Sequence, residues 1–397
     1  MKKTLVALAV LGSFAGVASA ATSVTLYGTL DAGYEGWNFG KDLSGEKSGF
    51  VQGSGFNKNG VSLGTSEQNS KIGVKGQEDL GNGLAAIFTL EGGVGADNGE
   101  TNAGTHPQRY SVRQARGVGA DNGETNAGQL FNRESTVGLK GSFGEVKIGR
   151  AKSQMELALG GVVPGHRVAD VDLYSVAASR HSNGLFYSYD NAGFSFGADV
   201  TTKGGAAGNN TEGLEGSKVG YGVRLGYTGQ VGGNVTLLAR AAYQNDGVEV
   251  TFDDGSKGKS QEWGGLLAAV VPYSNNALTV GVAYAQGKGE AADLVNAKFA
   301  TIERLSTKKA RTLSAVIASS FGSNDSAYLK YQQRKGTTAG ATDYKGNVWA
   351  VGYEHNLSKR TSVYADIAYA TIKANKGLDF SGKGTATGYS VGLAHSF

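Results

Sequence analysis

Val24-Thr25-Leu26-Tyr27-Gly28-Thr29-Leu30-Asp31-Ala32-Gly33-Tyr34-Glu35-Gly36 alternates with a period of two residues. One face carries Val24, Leu26, Gly28, Leu30, Ala32 and Tyr34; the other carries Thr25, Tyr27, Thr29, Asp31, Gly33 and Glu35. Successive side chains of an extended chain point to opposite faces, so this segment is apolar on one side and polar on the other. The same rhythm returns at Leu84/Ala86/Phe88/Leu90, Phe194/Phe196/Ala198/Val200, Tyr221/Val223/Leu225/Tyr227 and Leu278/Val280/Val282/Tyr284. Half-buried strands of a soluble sandwich and staves of a lipid-embedded barrel both alternate in this way.

The connections separate the two. Tight Gly-, Asn- and Asp-rich turns at 78–83, 141–144, 190–193, 229–233, 272–276, 322–325 and 357–360 alternate with longer Gly- and charge-rich segments. The long segments lie near 37–68, 92–131, 151–179, 202–217, 246–260, 287–309, 336–346 and 371–385. Seven short and eight long connections join sixteen strands, short at one rim and long at the other, as in outer-membrane barrels. The expected fold is therefore all-β: a sixteen-stranded antiparallel transmembrane barrel with periplasmic turns and extracellular loops, in one domain over 21–397.

Composition agrees. The chain holds 64 Gly and 18 Tyr but only 3 Pro and no Cys, which excludes a disulfide scaffold and any thiolate site. No run of eighteen apolar residues occurs, so no transmembrane helix is expected. A barrel needs none, because its backbone groups are satisfied between strands. Lys2 and Lys3, the apolar stretch from Leu5 to Val17 and Ala18-Ser19-Ala20 form a secretory signal pattern over residues 1–20. Removing it lowers the formal charge from +4 to +2, too weak a bias to indicate a nucleic-acid partner.

Near the C-terminus, Tyr389, Val391, Leu393 and Phe397 share one face, interrupted by His395, and alternate with Gly388, Ser390, Gly392, Ala394 and Ser396. The segment resembles the signal read by the outer-membrane assembly machinery, and Phe397 suits an aromatic girdle at the membrane interface.

Several stretches together resemble the general porins of β-proteobacteria, the neisserial and Burkholderia-type group. They are Val24 to Gly28, Lys71 to Gly76 with the following Glu-Asp-Leu-Gly-Asn-Gly turn, Asn132-Arg133-Glu134-Ser135 through Gly149-Arg150, Leu357 to Thr361 and Gly392 to Phe397. The resemblance implies a homotrimer embedded in outer-membrane lipid and lipopolysaccharide, passing small hydrophilic solutes and ions by passive diffusion, with no cofactor. It also implies that the third long loop folds into the lumen. That loop, about 151–179, carries Glu156, Asp170 and Asp172, although Gly160 to Gly165 is unusually apolar. Strand parity points Lys71, Lys75, Lys140, Lys147, Arg180, Arg224 and Arg240 inward opposite it. An acidic loop facing a basic wall would set a transverse field across a constriction.

Gly93 to Gly104 recurs identically as Gly117 to Gly128 and lengthens the second loop, which closure entropy tolerates cheaply. Other chemistry is poorly supported. The five histidines (His106, His166, His181, His355, His395) show no metal-ligand spacing. Gly258-Lys259-Ser260 has Asp253 where a phosphate loop needs Gly, and Asp253-Asp254-Gly255 lacks calcium-ligand spacing. The alternatives are a barrel hydrolase, for which His181 beside Arg180 is the one candidate base, and a substrate-specific channel with a row of lumen aromatics. Inward parity offers only Tyr27, Phe186, Tyr328 and Tyr364 for such a row.

Overall fold

The computed structural model describes residues 23–39, 61–64, 70–95, 130–160, 180–202, 218–251, 257–291, 306–338, 343–374 and 382–397. Among them run seventeen strands: β1 (Ser23–Phe39), β2 (Val61–Gly64), β3 (Lys71–Gly81), β4 (Leu84–Gly93), β5 (Glu134–Gly141), β6 (Gly144–Lys152), β7 (Arg180–Asn191), β8 (Phe194–Thr201), β9 (Gly220–Val231), β10 (Val235–Thr251), β11 (Lys257–Tyr273), β12 (Asn276–Ala291), β13 (Ser306–Phe321), β14 (Asp325–Thr338), β15 (Asp343–Asn356), β16 (Thr361–Ala374) and β17 (Gly382–Ser396). One short helix, α1 (Gln154–Leu159), follows β6. The signal segment 1–20 and most of the duplicated stretch lie outside the described residues.

The sheet is antiparallel and closes on itself through β1 and β17. β2 and β3 both pair with β1, Gly64 to Val61 against Gly33 to Gly36 and Lys71 to Gln77 against Thr29 to Ser23. They are two pieces of one stave, so seventeen strands make sixteen staves. All seven expected turns are present. Asn82 and Gly83 both take positive φ, 53° and 75°, the geometry that matches a two-residue hairpin to strand twist. Several expected long connections are shorter than the sequence suggested. β10 runs to Thr251 and β11 starts at Lys257, while β14 reaches Thr338 and β15 starts at Asp343. Polar, Gly-rich composition marked those segments as loops, yet the ladder hydrogen bonds continue through them.

Burial is inverted relative to a water-soluble protein. Leu26, Val137, Ile148, Leu225, Ile317, Ile367 and Val391 stand exposed on the outer face, whereas Asp31, Gln244, Gln332 and Asp366 are almost fully buried on the inner one. Lipid, not water, satisfies that outer face at no cost. Aromatic pairs border it: Phe194–Tyr227 and Phe321–Tyr353 on the turn side, Trp263–Tyr284, Tyr331–Trp349 and Tyr34–Tyr389 toward the loops. At ~3.4 Å per residue, the eight steps from Tyr389 to Phe397 span ~27 Å of tilted strand. Tyr389, Val391, Leu393, His395 and Phe397 all lie on the outer face, as their alternation predicted. At the seam, Gly28 and Phe397 exchange backbone hydrogen bonds of 3.2 and 3.1 Å, and the Phe397 ring covers Gly28.

Candidate functional site

The lumen is the concave, polar part of this molecule, and α1 lies inside it. Ser153 caps the start of α1, its hydroxyl accepting from the Glu156 amide at 3.4 Å. The helix buries Met155, Ala158 and Leu159 against Ala242, Leu266, Ala283 and Ala285, which β10, β11 and β12 direct inward. This apolar patch on the inner wall gives α1 a place to bury its own apolar face. Glycines bring it close: a Cβ on Gly197 would stand 2.3 Å from the Gln154 side-chain oxygen. Polar tethers complete the seat. The Arg224 guanidinium donates to Gln154 Oε1 at 3.4 Å and to Ser195 Oγ at 3.2 Å. Arg240 donates to the Gly160 carbonyl at 3.4 Å. Arg224 and Arg240 thus point inward as parity indicated, but they lie beneath the loop rather than across from it. They bind neutral acceptors, because the loop crosses the strands that carry them.

Behind the helix sits a closed charge cluster. His181, where the chain re-enters the wall after the loop, is 0 % exposed. Its Nδ1 lies 2.5 Å from Asp199 Oδ2 and its Nε2 3.3 Å from Asp246 Oδ1. Asp246 also accepts from Gln244 at 2.5 Å and Ser260 at 2.7 Å, and the Gln244 oxygen accepts from the Met155 amide at 3.4 Å. Asn183, at φ 51°, interrupts the alternation of β7, so His181 takes the inward position that a parity count assigns to its neighbour Arg180. Arg180 stays beside the lumen charges Glu156 and Glu91 and donates from Nε to the Arg133 carbonyl at 2.9 Å. Sequence reasoning placed His181 only as a conceivable base. With a carboxylate on each ring nitrogen, it is arranged as a structural cation.

The remaining predicted basic residues gather on β3 to β6. Lys71 stands 3.7 Å from Glu91, Lys75 lies 5.2 Å from the Tyr27 ring centroid, and Lys147 bridges Glu134 at 3.1 Å and Glu145 at 3.2 Å. Lys140 is paired in register with inward Ala85 near the turn rim. Two arginines missed from the sequence join them. Arg133 donates to Glu91 at 2.7 Å, and Arg150 donates to the Asn132 carbonyl and Ser182 at 2.7 and 2.6 Å. Arg150 lies opposite a bulge in β7, where three steps along β7 (Gly184 to His181) match two along β6 (Gly149 to Ala151), and parity counting gave it no role. On the acidic side, Glu156 pairs with Lys152 at 3.4 Å, while Asp170 and Asp172 lie outside the described residues. Tyr344, besides the four aromatics expected, also lies buried on the inner face.

A family model described as Gram-negative porin matches residues 7–375. Among curated relatives, Outer membrane porin protein 32 of Delftia acidovorans is 29% identical over 422 residues, covering 100% of both chains. Major outer membrane protein P.IB of Neisseria gonorrhoeae is 30% identical over 409 residues, again covering 100% of both. Among solved structures, an anion-selective porin from Comamonas acidovorans superposes with a TM-score of 0.59 at 23% identity, covering 95% of this chain and 100% of that one. The trimer form of OmpT from Vibrio cholerae gives 0.54 at 14% identity, covering 95% and 100%.

Proposed function

Because the chain belongs to the Gram-negative porin family, we propose that its lumen is a water-filled outer-membrane channel for passive diffusion of small hydrophilic solutes and ions, narrowed by α1 and the loop that continues from it. The observation that carries this is α1 itself, docked on an inward apolar patch of the barrel wall, away from the strands β3 and β6 that carry Lys71, Lys75 and Lys147. Sixteen staves enclose a lumen wide enough for water. Glu156, Asp170 and Asp172 supply the acidic side of the constriction, and Lys71, Lys75, Lys140, Lys147 and Arg180 supply the basic side. Arg224 and Arg240 hold the loop in its seat.

The working unit is a homotrimer, in keeping with the trimeric form of a structural neighbour. Residues 1–20 direct export, and the outward row Tyr389, Val391, Leu393 and Phe397 is the element the assembly machinery reads. No enzymatic role is proposed, since both ring nitrogens of His181 are occupied by carboxylates and not by a serine hydroxyl.

Planar-bilayer recording of the purified protein tests the proposal. Stable conductance steps with a weak reversal potential in a salt gradient are expected. Membranes that stay silent, with ester or peptide turnover in the same preparation, would replace the channel with the hydrolase reading.

A further inference from the structure

Three lumen tyrosines share one arrangement. Tyr27 on β1 is in register with Gly73 on β3, which is in register with Glu91 on β4. Tyr328, Gly352 and Asp366 repeat that row across β14, β15 and β16. Tyr364 lies over Gly392 and reaches Asp31 diagonally. In each case the ring crosses the glycine and delivers its hydroxyl to a carboxylate beyond it: Tyr27 to Glu91 at 3.0 Å, Tyr328 to Asp366 at 2.5 Å, Tyr364 to Asp31 at 2.5 Å. The glycine is obligatory. A Cβ would stand 2.5 Å from Tyr27 Cζ at Gly73, and 2.4 Å from the corresponding atoms of Tyr328 and Tyr364 at Gly352 and Gly392.

The first row meets the basic wall. Glu91 Oε1 accepts from Arg133 Nε at 2.7 Å, and Oε2 accepts from Tyr27 at 3.0 Å. Lys71 Nζ stands 3.7 Å from Oε2, too far for a hydrogen bond. Glu134, in register with Glu91 on the next strand, is occupied by Lys147 and Thr136, both at 3.1 Å. We propose that Tyr27 is a positioning residue for ion selectivity: its hydroxyl holds Glu91 flat on the wall and keeps that carboxylate from closing on Lys71. A neutral group thereby preserves a cationic lumen charge. Without the hydroxyl, Oε2 either draws in the Lys71 ammonium or swings into the lumen. Both changes make the local potential less positive, so both move selectivity toward cations.

The inference rests on the lumen being the conducting path. Tyr27→Phe keeps the ring under Lys75 and removes only the hydroxyl, while Gly73→Ala displaces the ring. In single-channel recordings under a salt gradient, each should lower the anion-to-cation permeability ratio by about twofold, less than the roughly fivefold of a whole charge added about 4 Å away in water, because the carboxylate moves and is not created. Glu91→Gln should raise it, since Lys71 and Arg133 lose their counter-ion. Adding Tyr27→Phe to Glu91→Gln should change nothing further, because Tyr27 acts through Glu91; a merely structural tyrosine would add its own effect. Misfolding lowers the number of conductance events and leaves the ratio of surviving channels readable. Ratios unmoved by Tyr27→Phe and Gly73→Ala, or an added shift in the double variant, overturn the positioning role. A silent wild-type protein instead overturns the channel reading on which it stands.

Discussion

Lys71 and Lys75 lie four residues apart on the same face of β3, and each already has a partner, Glu91 for one and the Tyr27 ring for the other. Such pairing lowers but does not cancel a charge bathed by lumen water. Neutralising both lysines should shift the reversal potential toward cations, and neutralising Asp170 and Asp172 together should shift it toward anions. Both shifts should shrink near 1 M salt, where the Debye length is about 3 Å. If neither pair moves the potential, these residues do not border the constriction. His181 is a different kind of residue. It lies between two carboxylates with no exposure, and removing it would leave Asp199 and Asp246 facing each other uncompensated. His181→Ala should therefore cost about 3–5 kcal/mol. Heat denaturation of the folded barrel in detergent reads this directly, and an unchanged melting profile would show the cluster to be dispensable.

At the scale of the element, α1 is six residues long and could not persist alone in water. Its Ser153 N-cap and its patch on β10 to β12 hold it. Leu266→Asp would place an unpaired carboxylate beneath Met155 and Leu159, and a buried charge of that kind is not tolerated. The helix should leave the wall, making single-channel currents noisier and the mean step larger than wild type. Steps of wild-type size and quietness would mean that the loop is held from elsewhere. An inward patch was present in the sequence, because Ala242, Leu266, Ala283 and Ala285 all fall on lumen parity. It went unrecognised because each residue is unremarkable alone and only register sets them side by side. The arginines Arg133 and Arg150 were missed for a related reason: one precedes its strand and the other lies opposite a bulge in β7, where register breaks step.

For the molecule as a whole, closure is the decisive event, and it is made by β1 and β17. Phe397 exchanges two hydrogen bonds with Gly28 and covers it with its ring. Deleting Phe397 should reduce the amount of folded barrel in the outer membrane while leaving the conductance of surviving channels unchanged. Gly28→Ala, whose Cβ would meet the ring at 2.4 Å, should lower the yield in the same way. Normal yield of both would place the closing step elsewhere on the seam. Chemical cross-linking in mild detergent should recover trimers, and monomers alone would contradict the homotrimer.

Period-two alternation and the spacing of turns were enough for the sequence to determine the barrel, its sixteen staves and which face meets lipid. Those properties are local: each side chain's face follows from the backbone it sits on, and each turn from its own few residues. The tertiary structure decided which lumen charges neutralise one another. Glu91 meets Arg133 across 42 positions and His181 meets Asp246 across 65, separations over which no periodicity carries information. The positive-φ residue Asn183, in the bulged part of β7, also resets the parity on which any count depends. Register converts a list of inward charges into pairs, and register is fixed only when the sheet closes on itself.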